Sequence, residues 1–142
     1  MTATSMTATS PHPDLRPVSN RQLRRSGAFA GVVASVATTG VAVAADAIGV
    51  PIKIGGEAIP MAGFAQLTLF FSAVGVVIAS VMARRAAHAR ATFVKTALVL
   101  TALSFVPDGL ADAQSATKLT LMLTHVVAAA IVIPALAGRL AD

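Results

Sequence analysis

The sequence predicts an all-α protein, an integral membrane antiparallel four-helix bundle behind a disordered N-terminal leader. Three observations predict it. First, only 12% of the 142 residues are charged and 56% are hydrophobic, with a mean hydropathy of +0.78. A water-soluble domain carries about 25% charged residues, so much of this surface must face lipid. Second, four apolar segments of near-spanning length alternate with short polar connections. Third, the charges sort by side. Arg16, Arg21, Arg24, Arg25, Arg84, Arg85, Arg90, Lys95 and Arg139 fall at one end of such a bundle, and Lys53 and Lys118 at the other. The acidic residues Asp46, Glu57, Asp108 and Asp112 sort to the side that the basic ones avoid.

Residues 1–26 read as a disordered cytoplasmic leader. "MTATSMTATS" duplicates five residues, too few to pack as a unit, and it makes Met6 a second candidate start. "PHPDLRP" adds three prolines and no periodicity. Residues 27–142 form the expected transmembrane domain.

The first helix is expected over 28–50, about 34 Å at 1.5 Å per residue, enough to cross the hydrocarbon core. Gly27, Gly31, Ser35 and Thr39 recur at every fourth position, a small-residue face that lets another helix approach closely. "RQLRR", the apolar run and "AVA" at 42–44 also resemble a secretory signal with its cleavage site. The long apolar run and the three apolar segments behind it favour a retained helix. "PIKIGGEAIP" has two prolines and a Gly pair, which predicts a loop or a short hairpin. The second helix is expected over 61–83, ending in the basic "ARRAAHAR".

The third helix is expected over 91–106, short for a span, with Lys95 reaching back to the interface and Pro107 and Gly109 ending it. The fourth is expected over 116–136, with Pro134 near its far end. By the positive-inside rule the basic end is cytoplasmic, so both termini lie on the inner side of the cytoplasmic membrane.

Composition narrows the function classes. Cysteine is absent, which removes disulfides, thiolate metal sites and thiol nucleophiles. There is no Trp or Tyr to stack bases, and the basic residues sit at the ends of apolar segments, so nucleic acid is not an expected partner. The three histidines, His12, His88 and His125, are far apart and no metal motif joins them. "KIGGE" lacks the ending of a phosphate loop, and no serine nucleophile elbow occurs. No cofactor is predicted.

Four polar residues come to similar depth in the outer half. They are Asp46 near the end of the first helix, Gln66 early in the second, Asp108 at the end of the third and His125 well inside the fourth. Ionisable groups in hydrocarbon need a partner, a wet cavity or neutralisation, so the four form a candidate polar cluster. His125 is the sharpest member and pairs with either Asp46 or Asp108. Asp108 in "PDG" reads first as a turn residue, and Gln66 as a helix-to-helix hydrogen-bonder. Asp112 and Glu57 read as solvated loop charges.

"SFVPDGL" ahead of the last helix and "THVVAAAIVIPALAGRL" along it resemble the DUF6069 family, small actinobacterial four-helix membrane proteins with no assigned activity. The resemblance spans 24–140 and is strongest over 106–140. It implies the fold and the membrane location, and it draws attention to Pro107, Asp108, His125 and Pro134.

The leading functional expectation is an accessory or interaction protein whose partners are the lipid bilayer and another membrane protein or a second copy of the chain. A small proton-coupled carrier subunit using Asp46, Asp108 and His125 is the alternative. A membrane enzyme acting on lipid or quinone is third, because no nucleophile or cofactor signature supports it.

Overall fold

The computed structural model describes residues 20–142. The leader expected over 1–26 therefore lies mostly outside the described residues, as do the duplicated pentapeptide and Met6. Four long helices pack together: α1 (Asn20–Ala47), α2 (Met61–Arg85), α3 (Ala89–Leu110) and α4 (Ser115–Ala137). All four are long and apolar enough to cross a membrane. α1 packs against α2 and α4, and α3 closes the bundle against α4 and α2.

Two boundaries differ from the sequence expectation by more than three residues. α1 starts at Asn20, so residues 20–26 are helix and not leader. "NRQLRRS" can extend the helix because it contains no proline or internal glycine, and Leu23 is fully buried in the bundle. α3 continues through Pro107 and Gly109 to Leu110. A proline in the last turn removes only one helical hydrogen bond. The Lys118 ammonium then caps the new end, donating to the Gly109 carbonyl at 2.9 Å. The length missing from the third span is therefore recovered at both ends, by two residues at the start, where α3 begins at Ala89, and by four at its C-terminal end.

The α1–α2 connection is a two-stranded hairpin, β1 (Lys53–Ile54) and β2 (Glu57–Ala58), paired antiparallel. Gly55 and Gly56 both have positive φ, 58° and 85°, as the two-residue turn of a tight hairpin demands. The hairpin turn docks on the α3–α4 connection, where Gly55 N–H donates to Asp112 O at 2.8 Å, and the segment leading into β1 docks on the first turn of α4, where Thr117 Oγ1 donates to Pro51 O at 2.6 Å. Gly56→Val should lower stability by about 1–2 kcal/mol, the strain of a side chain in the left-handed region. Equilibrium unfolding in detergent checks this, with Gly40→Val as the control.

The interior has two apolar clusters. At the basic end Leu23, Ala79, Ala89, Phe93 and Leu136 pack with Ala137 and Leu140. The C-terminal tail folds over the start of α3 there, with Arg90 N–H donating to Ala141 O at 3.1 Å and Arg90 facing Asp142 at 3.5 Å. At the hairpin end Ala42, Ala45, Ile52 and Phe64 form the second cluster.

Between the clusters α1 and α2 meet through small and hydroxylated residues. Gly27 lies against Val76 and Gly31 against Ser72. Ser35 Oγ donates to Gly31 O at 2.7 Å and reaches Ala65 O at 3.3 Å, and the Thr38 and Thr68 hydroxyls share a 3.0 Å hydrogen bond. Gly27, Gly31 and Ser35 are buried, but Thr38 and not Thr39 completes the contact with α2. Helical periodicity explains the substitution. Each four-residue step drifts by about 40°, which leaves Thr39 about 120° from Gly27 and Thr38 only about 20° away.

The outer surface is apolar. Phe70, Phe71, Val77, Leu98, Val99, Leu103 and Leu119 are all exposed. Such a surface suits hydrocarbon and not water.

Candidate functional site

Asp108 sits on the last turn of α3, and His125 lies near the middle of α4. In an antiparallel pair every side chain leans toward the N-terminus of its own helix. Asp108 thus leans into the bundle and His125 leans toward the hairpin end, so the two converge from different levels. His125 Nδ1 lies 3.5 Å from Asp108 Oδ2. The contact is an ion pair when the imidazole is protonated.

Asp108 is buried, with its side chain 12% exposed, whereas the His125 side chain is 36% exposed. This reverses two sequence expectations. Asp108 is a helical, interior residue and not a turn residue, because α3 runs past Pro107. The carboxylate, not the imidazole, is the more deeply enclosed of the two.

Both facing atoms, Asp108 Oδ2 and His125 Nδ1, are buried and make no hydrogen bond. Buried polar atoms are ordinarily satisfied, so each depends on the other for electrostatic relief. Phe105 completes one wall. Its ring meets the His125 imidazole edge-on, with centroids 6.5 Å apart and planes at 75°. Phe105 and Asp108 are three residues apart and share a face of α3. That spacing was the available signal for Phe105, which sequence reasoning passed over.

The other two members of the expected cluster do not bond to this pair among the described residues. The side chains of Asp46 and Gln66 are exposed, and neither makes a hydrogen bond or ion pair among the described residues. The site brought together is therefore Asp108, His125 and Phe105, built on α3 and α4 alone. Thr120 and Thr124 are buried beside it on α4, but their hydroxyls are spent on their own helix, donating to Ala116 O and Leu121 O. Glu57, on strand β2 of the hairpin, and Asp112, in the α3–α4 connection, are exposed charges. Among the described residues no three His, Asp or Glu side chains gather as a metal site would require.

The sequence of residues 18–142 matches the profile of DUF6069, a family of unknown function. The chain belongs to the DUF6069 family. The match covers all four helices, the hairpin and the C-terminal tail. No curated protein and no solved structure matches the chain. A carboxylate facing an imidazole in a largely apolar bundle can hold a proton between the two groups, or hold two helices together by charge.

Proposed function

We propose that this protein is a small accessory or interaction protein of the cytoplasmic membrane, with both termini in the cytoplasm, whose α3–α4 pair is held in register by Asp108 and His125. The observation that carries this reading is the position of the ion pair relative to the core. The Leu23, Ala79, Phe93 and Leu136 cluster closes the bundle at the basic end. Among the described residues Asp108 is the one charged side chain with a buried position. A polar pair whose facing atoms are enclosed, in a bundle closed at the basic end by a packed apolar plug, suits a helix clasp and not a conduit. The charge asymmetry between the two ends supports the cytoplasmic placement of the termini.

The pair itself favours a second reading, a proton-coupled carrier subunit, because carboxylate–imidazole pairs also relay protons. Reconstitution separates the two. Proteoliposomes carrying the wild-type protein and His125→Ala should show the same proton leak as empty liposomes under a pH gradient. Proton flux present in wild type and abolished in a folded His125→Ala would overturn the accessory reading in favour of the carrier.

A further inference from the structure

A groove of about 430 Å³ opens between α1 and α2 at the basic end of the bundle. Its lining is divided by chemistry. Arg24 on α1 and Arg84 and Arg85 on α2 supply the charge, while Val76, Val77, Ser80 and Val81 form the rest. Val77 and Val81 are four residues apart on α2, and Arg84 and Arg85 lie three and four residues beyond Val81, so the valines and the arginines adjoin along the helix. None of the three guanidinium groups forms an ion pair or a hydrogen bond among the described residues. Ser80 is already committed, its hydroxyl donating to Val76 O at 2.7 Å. The close approach of Gly27 and Val76 draws α1 and α2 together beneath the groove. Val77 and Val81 stay open on its outer side, 61% and 48% exposed.

We infer that this groove binds an anionic phospholipid of the surrounding leaflet. The three arginines take the headgroup phosphate, and Val77 and Val81 lie along the first part of an acyl chain. Charge complementarity decides the class of ligand. Guanidinium forks match phosphate oxygens, and a basic pocket between membrane helices at the interface is where an anionic headgroup gains most. The apolar half of the groove favours a lipid over a free anion, because a small phosphate leaves the valines unused. The inference rests on the membrane placement of the helices and is independent of the Asp108–His125 clasp.

The test uses the full chain in a neutral detergent, titrated with phosphatidylglycerol, with phosphatidylcholine of the same acyl chains, and with inorganic phosphate. Phosphatidylglycerol should bind, and the other two only weakly. Replacing Arg24, Arg84 and Arg85 together by Gln should weaken that binding by on the order of 100-fold or more, since each direct guanidinium–phosphate contact contributes at least about fivefold beyond general charge attraction. A control that removes equal charge at the same end, Arg21→Gln with Arg25→Gln and Arg90→Gln, should weaken it by roughly the few-fold of general screening. Val77→Trp, which fills the groove and keeps every charge, should also weaken it and serves if the triple variant does not fold. Equal losses in the two triple variants would reduce the effect to net charge and overturn the inference. So would equal binding of the two lipids, inorganic phosphate binding as well as the lipid, or unimpaired binding by Val77→Trp. The proton-flux assay is unaffected by any of these results, so the two proposals fail separately.

Discussion

Gly27→Leu is expected to destabilise the bundle by about 3 kcal/mol, the upper range for overfilling a packed interface. A side chain at Gly27 would overlap Val76, and its first carbon would already lie 3.1 Å from Leu136. Helix association in lipid depends on close packing, because the hydrocarbon supplies no hydrophobic drive between helices. Val76 and Leu136 come from α2 and α4, so one substitution pushes α1 away from both neighbours. Gly31→Leu should behave similarly but less severely, since its first contact is Ser72 at 3.1 Å. Gly40→Leu supplies the control: nothing lies within 4 Å of that position, and its stability should change by no more than about 0.5 kcal/mol. Reversible unfolding in mixed micelles measures all three. Equal losses at Gly27 and Gly40 would contradict the packing described for α1.

His125→Ala is expected to cost about 2 kcal/mol, and Asp108→Ala less. Breaking a fully buried ion pair from one side costs about 3–5 kcal/mol, and neutralisation of the group left behind reduces that figure. The asymmetry follows from charge. Removing the imidazole leaves an enclosed carboxylate without its one electrostatic partner. Removing the carboxylate leaves an imidazole that can stand neutral. Replacing both by Leu should recover most of the loss, because an apolar pair needs no partner. Equal penalties for the two single variants, or a double Leu variant as unstable as His125→Ala, would show that the pair does not hold α3 to α4.

The four spans were legible in the sequence because they rest on bulk properties, namely hydropathy over a window and charge at its ends. The hairpin was legible because Gly55 and Gly56 are adjacent between two short apolar runs. The end of α3 was not, because it is set by a tertiary cap. Pro107 and Gly109 are strong local stops, but in the last turn the proline removes only one helical hydrogen bond, and the Lys118 ammonium on the next helix adds a contact at the Gly109 carbonyl. The polar cluster was half legible for a related reason. Counting turns gives a residue's level along the bundle, but facing is set by packing. Gln66 follows Ala65, whose carbonyl receives Ser35, and is turned about 100° from it into the exposed surface. Asp108 and His125 face each other because α3 and α4 pack through those sides. The arginine groove was not legible from spacing, because Arg24 and Arg84 are distant in sequence and meet only when α1 and α2 pair.

Both proposals depend on the chain crossing the membrane four times with its basic end in the cytoplasm. Cysteine labelling tests this directly, since the chain has no native Cys to remove. Glu57, Asp112, His88 and Asp142 are all exposed and lie at alternate ends of the bundle. Single cysteines at these positions in the full chain are probed on intact cells with a membrane-impermeant maleimide, before and after permeabilisation. The account predicts labelling of Glu57→Cys and Asp112→Cys on intact cells, and of His88→Cys and Asp142→Cys only after permeabilisation. Uniform labelling of all four would contradict the four-span arrangement, and the reverse pattern would contradict its orientation.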